Sequence, residues 1–138
     1  MKKIYISVII FILVLGVIFI VKNSAYNDKN DEFNNFINDL DKVNNIKLEE
    51  RINKEYFLVK DTDDVAQVIN LLKEVKLSKG FTTVTFNEDD VRYKISLYNN
   101  QTLTHEYYFY PDYIKLENEY LKVENLNKVK ILEILEKN

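Results

Sequence analysis

The 138-residue chain contains no cysteine. That absence excludes disulfides, thiolate zinc sites, a cysteine nucleophile and a lipid-acylated cysteine. Glycine occurs twice and proline once, so turns must rely on Asn and Asp, which tolerate the left-handed region better than other non-glycine residues. No glycine-rich phosphate loop and no glycine-flanked nucleophile serine is present. A basic excess is missing too. The formal net charge is −3, which offers no general positive field to nucleic acid or anionic lipid. Lys2-Lys3 is too short to be a nucleic-acid arm, and no nucleic-acid partner is expected.

What the chain does have is an almost unbroken apolar run from Ile4 to Val21, without a charge inside it. At a rise of about 1.5 Å per residue it reaches about 27 Å as a helix, close to a hydrocarbon core of about 30 Å. Tyr5, Ser7 and Gly16 cannot reverse the sum of so many Ile, Leu, Val and Phe side chains. The run predicts a membrane-spanning helix, with lipid as the partner of residues 4–21. The competing reading is a cleaved secretory signal. Signals have a shorter apolar centre of about 7 to 15 residues and small residues at the cut. The best cut here, after Ala25, puts Asn23 where a small residue is wanted. Lys2, Lys3 and the amino terminus outweigh Lys22, which Asp28, Asp31 and Glu32 follow. The bias favours the N-terminus inside and the rest outside the cytoplasm, a single-pass protein of the cell membrane.

Three segments are expected: an anchor over 1–22, a polar juxtamembrane linker and amphipathic helix over 23–45, and one α+β domain over 46–138. In the second, Phe33, Phe36, Ile37, Leu40 and Val43 recur at helical spacing from Asp31 onward. Asn44-Asn45 suits its end. Ile46 and Leu48 suggest an edge strand and Tyr56 to Lys60 a better one. Asp61 then caps a helix through Val65, Val68, Ile69, Leu72 and Val75, stopping at Lys79-Gly80. From Phe81 the period changes to two. Strands are expected over 81–86, around Val91 to Leu97, around Leu103 to Phe109, and at Ile114-Leu116 and Leu121-Val123. Asn125 should cap a last helix. The order β-α-β-β-β-β-β-α predicts an antiparallel meander covered by helices on one face, a two-layer α+β fold.

Candidate chemistry is sparse. His105, the only histidine, falls on the inward period of its strand. A general base there needs a nucleophile and an orienting group. Ser78 and Ser96 qualify only by existing, so a hydrolase is rejected. Asp61, Asp63 and Asp64 resemble hard-cation ligands, but helix capping explains them fully, and no metal or cofactor is expected. The less ordinary feature is aromatic. Period two points Tyr98, Tyr108, Tyr110, Tyr113 and Tyr120 away from the helices. Tyrosine joins a large apolar body to a polar tip at low rotamer entropy, so this face is a candidate surface for a protein or cell-wall partner. The alternative is cross-strand packing on a half-exposed sheet.

The apolar span, the step Lys60-Asp61-Thr62-Asp63-Asp64 into a helix, and the repeats Tyr113-Ile114-Lys115-Leu116 and Tyr120-Leu121-Lys122-Val123 together resemble small, membrane-anchored exported proteins of low-GC Gram-positive bacteria. That group is known as domains of unknown function. The resemblance implies an exported, tethered domain and brings no catalytic residue with it. The expected function is therefore a membrane-tethered, non-enzymatic binding module. The alternative is an immunity- or inhibitor-like protein that grips one partner through the tyrosine face.

Overall fold

A computed structural model describes residues 2–79, 83–109 and 111–137. Gly80, Phe81 and Thr82, expected to stop a helix and open a strand, lie outside the described residues, as does the candidate contact residue Tyr110.

The chain opens with one helix, α1 (Lys2–Asp39), which closes in a 3-10 turn at Leu40–Lys42. Its apolar part is long enough to cross a membrane, and none of that window is buried in the protein. The expected linker over 23–30 is helical, and Asp31 and Glu32 sit in mid-helix rather than in a first turn. Extending a helix is cheaper than nucleating a second one, and no Gly or Pro between Val17 and Val43 interrupts the ladder. Tyr26 and Phe33, seven residues apart, share a face and pack against the same core.

A hairpin follows, β1 (Asn45–Glu50) and β2 (Glu55–Val59). Helix α2 (Thr62–Lys73) leads to two short strands, β3 (Lys76–Leu77) and β4 (Thr83–Val84). The meander is β5 (Tyr93–Asn99), β6 (Thr102–Phe109), β7 (Tyr113–Leu116) and β8 (Glu119–Glu124), and α3 (Lys128–Leu135) ends the order. The sheet is antiparallel, in the order β2-β1-β5-β6-β7-β8-β3, with β4 also on β8. Helix α2 thus carries the chain from one sheet edge to the other.

The inner face carries Ile46, Leu48, Val59, Ile95, Leu97, Tyr107, Ile114 and Leu121, all fully buried. Phe33, Phe36, Leu40 and Val43 of α1 and its turn, Val65, Val68, Ile69 and Leu72 of α2, and Ile131, Ile134 and Leu135 of α3 complete the same core. Burying each such aliphatic or aromatic side chain is worth about 1.5–3 kcal/mol. The two-layer α+β expectation holds, with the helices on one face.

Several local expectations do not hold. Strand β1 is interior, between β2 and β5, because the chain returns to pair Ile46 with Leu97 and Leu48 with Ile95. Helix α2 stops at Lys73, not at Lys79. Lys76 and Leu77 pair with Glu124 and Val123 instead, so the strand partner overrides the helical spacing of Val75. The last helix is capped by Asn127, whose side chain accepts from Lys130 N–H, while Asn125 holds a left-handed φ of 62° before it. Asn100 does the same at φ 55°, but Lys54 and Glu117 also take left-handed turns. Asn and Asp therefore do not carry every turn. Asp61 caps α2 as expected, accepting from Asp63 and Asp64 N–H at 3.0 and 3.2 Å.

Contacts spaced along α1 and the residue after it fall on different strands of the inner face. Lys29 pairs with Glu119 of β8. Phe36 lies against His105 and Tyr107 of β6. Asn44, just past the 3-10 turn, donates its N–H to Tyr98 of β5. The rise from Lys29 to Phe36 is about 10 Å, and two strand spacings are about the same. The β8 edge therefore lies nearest the apolar half of α1, and β2 lies farthest from it.

Candidate functional site

Among the described residues no α-helix packs on the outer face of the sheet. Its strands carry Lys47 and Glu49 (β1), Tyr56 and Leu58 (β2), Lys94 and Tyr98 (β5), Glu106 and Tyr108 (β6), Tyr113 and Lys115 (β7), and Tyr120 (β8), as the pairing register requires. The described candidate tyrosines, Tyr98, Tyr108, Tyr113 and Tyr120, point as the period predicts. Their exposure does not follow.

The segment expected as a strand over 81–86 instead lays Phe86 over the Tyr108, Tyr113 and Tyr120 part of this face. Strand β4 pairs Val84 with Tyr120, so the chain leaves the sheet beside that ring and Phe86 folds back over it. Phe86 stacks on Tyr113 at 4.5 Å between centroids, meets Tyr120 edge-on at 4.4 Å, and lies 5.8 Å from Tyr108. Tyr108 is fully buried beneath, and its hydroxyl donates to Glu106 Oε2 at 3.0 Å. Tyr108 is therefore not exposed on the outer face. Its ring is core to a small aromatic cluster on the outer side. Tyr113 and Tyr120 are half-buried in the same cluster.

Polar contacts hold that cover down. Asn87 Oδ1 accepts from Asp89 N–H and starts a 3-10 turn, Glu88–Asp90. Glu88 Oε1 accepts from the Tyr120 hydroxyl and from Lys115 Nζ. Arg51 donates to the Glu88 carbonyl at 2.6 Å and to Asp89 Oδ1 at 3.3 Å. The Tyr120 hydroxyl and then Lys115 hold the Glu88 carboxyl below its usual range, against partial burial. Burial pushes the Tyr108 and Tyr120 hydroxyls up, with Glu106 and Glu88 respectively adding to the shift. Lys94 sits between Glu49 and Glu106 at 3.5 Å from each, closing a charge ladder across the middle of the face.

Beyond that ladder the face is open. Tyr98 is half-buried and lines a shallow groove of about 550 Å³ with Lys47, Leu58, Lys60 and Asn100. Leu103, two residues before inward His105, points outward beside Tyr98. The register shifts between Leu97 and Tyr98, and Thr104 fills the bulge, its hydroxyl donating to Leu97 O at 3.0 Å. A bulge turns the residues beyond it to the other face. Of the five candidate tyrosines, then, Tyr108, Tyr113 and Tyr120 cluster under Phe86, Tyr98 stands apart in the groove, and Tyr110 is outside the described residues.

His105 is on the inner face, half-buried, with its ring edge-on to Phe36 at 4.4 Å. Burial lowers its pKa, and Asp39 pulls it partly back. Neither serine meets it. Ser96 pairs with Glu106 on the outer face, and the Ser78 hydroxyl donates to Glu124 at 3.0 Å. Among the described residues no three His, Cys, Asp or Glu side chains converge to hold a metal.

The sequence suggested Phe86 as a strand residue and Glu88 as part of a solvated turn, but β4 ends at Val84, and the roles of Phe86, Glu88 and Arg51 depend on a fold-back that no local pattern announces. Sequence reasoning passed over Tyr56 and Leu58, although their alternation with Phe57 and Val59 was readable. The chain matches no family model, no curated protein and no solved structure.

Proposed function

We propose that this chain is a single-pass, membrane-tethered interaction module without enzymatic activity. Its N-terminus lies inside and its folded domain faces the exterior of the cell membrane. One observation carries the reading. An uncharged apolar stretch with no protein cover continues, without a break, into helical turns that belong to the domain's core. A helix apolar all round needs a nonaqueous surrounding, and a helix with one buried stripe needs a folded partner. The orientation rests on Lys2 and Lys3 against Lys22 with its following acids.

A second reading, an immunity- or inhibitor-like protein that grips one partner, is favoured by the open half of the outer face. Tyr56 and Leu58 are 57% and 53% exposed there, Tyr98 lines the same groove as Leu58, and exposed Leu103 pairs with Tyr98. The tyrosines under Phe86 add nothing to it.

The test is membrane fractionation with an alkaline wash, followed by protease treatment of intact cells. The chain should stay with the membrane pellet, and its domain should be digested without lysis. Full-length chain in the soluble fraction removes the tether. Digestion only after lysis reverses the orientation.

A further inference from the structure

The two edges of the sheet are built differently. At the β8 edge the outermost strand is broken into two two-residue pieces, β3 and β4. Such interruption is a usual protection against pairing with another chain. At the far edge, β2 pairs with β1 in unbroken register from Ile46↔Val59 to Glu50↔Glu55. It has no proline and no bulge, and among the described residues no strand follows it in the sheet order. A strand edge carries backbone N–H and C=O groups that a further strand can pair.

The side chains along that edge have a definite chemistry. Tyr56, Leu58 and Lys60 form the outward row, with Tyr56 and Leu58 more than half exposed. Phe57 is half-buried on the inner side. The Lys47 ammonium lies over the Tyr56 ring at 4.3 Å. Neither Lys47 nor Lys60 makes an ion pair among the described residues, whereas Lys94, Lys115 and Lys128 all have carboxylate partners. An added strand would meet two apolar side chains and then an unneutralised cation.

The course of α1 says which occupant fits. Strand β2 lies on the side of the domain away from the apolar half of α1. Two copies sharing one membrane would both turn β2 away from it, so their β2 edges would not face each other. A second copy in the same membrane is therefore the poorer occupant, and its outward β2 row would set no carboxylate against Lys60. We propose that β2 is a docking strand for an extended segment of a partner protein. Its outward side chains are apolar opposite Tyr56 and Leu58 and acidic opposite Lys60. Backbone pairing supplies the affinity and this row supplies the selectivity. The proposal deepens the tethered-module reading and relies on it for the direction of approach.

The test uses the full chain in lipid nanodiscs and a fluorescent heptapeptide, Asp-Thr-Val-Thr-Val-Thr-Asp, as probe. Its two ends make it indifferent to strand direction. Saturable binding is expected. Two N-methylated versions, one at the valines and one at the threonines, should differ at least tenfold, since only alternate amides face the edge. A peptide with lysine ends should bind at least tenfold more weakly, as should Leu58→Glu protein. Leu103→Glu, on the same face but off the edge, should bind normally. Absent saturable binding, equal binding of both methylated peptides, or indifference to Leu58→Glu overturns the docking strand. Binding that survives while fractionation finds the chain soluble overturns the tether and spares the strand.

Discussion

Phe19 and Phe36 belong to one helix, yet Phe19 is 71% exposed and Phe36 is 3% exposed. From Val8 to Val21 every side of the helix is apolar. Around Phe36 only one stripe is, and Asn34, Asn35 and Asn38 face out. The backbone is the same in both halves, so the difference lies wholly in what surrounds them. The first half has no protein against it. The second is as much a part of the domain as any strand. A single element can thus answer to two environments, provided that nothing between them breaks its hydrogen-bond ladder.

The largest test of that division is truncation. Leu40 is fully buried and Leu13 is 63% exposed. Leu40→Ala should destabilise the domain by about 2–5 kcal/mol, while Leu13→Ala leaves it unmoved, as read from urea midpoints by circular dichroism of the detergent-solubilised chain. Equal shifts would erase the distinction between the halves.

Ala25→Pro attacks the junction itself. It should cost about 3 kcal/mol or more of local helix stability without shifting the domain's midpoint. Spin labels at Lys22 and Asn34 should change from one narrow separation, about 18 Å along the helix, to a broad distribution. An unchanged narrow distribution would mean that helix continuity through 23–30 is not what aligns the two halves.

A smaller effect belongs to the domain half alone. Burial beside Phe36 lowers the His105 pKa below 6.5. The unfolded chain then takes up the proton more readily than the folded one, so stability is full above about pH 6.5 and declines as pH falls toward the folded pKa. Thermal melts should fall across that window, and His105→Gln should flatten them there. Glu88, held low by Tyr120 and Lys115, acts in a separate window below 4.5. A His105→Gln profile identical to wild type would mean that the imidazole is not coupled to folding.

The smallest change is Lys29→Ala. Lys29 bridges Glu119 and Glu32 at the first turns that touch the domain. These are solvated pairs, and exposed pairs contribute about 0–1 kcal/mol. A loss as large as that of Leu40→Ala would make this bridge, rather than the apolar stripe, the main attachment.

Periodicity made much of this legible. The stripe Phe33-Phe36-Leu40, the Asp61 cap and the alternation of Tyr93, Ile95 and Leu97 are all local patterns, and each side chain went where its pattern points. The candidate site was only half legible. Alternation placed Tyr108, Tyr113 and Tyr120 on the outer face, but Phe86 arrives from another segment and buries the first of them. Leu103 departs from the alternation of His105 and Tyr107 because one bulge at Thr104 reverses it. Polar composition over 23–30 suggested a break, since it registers low helix propensity and not the helical turns already formed on either side.

By itself the sequence determined which residues avoid water: a charge-free run that no aqueous surface can match, and amphipathic segments whose spacing sets each element's buried side. These depend on neighbours within a few positions. Tertiary structure alone decided that β1 lies inside the sheet and β2 at its edge, that α2 yields to β3, and that the tyrosine face is half covered. Such outcomes turn on pairings between residues dozens of positions apart. There backbone groups and side chains from different segments compete for the same partners, and only the assembled chain settles the competition.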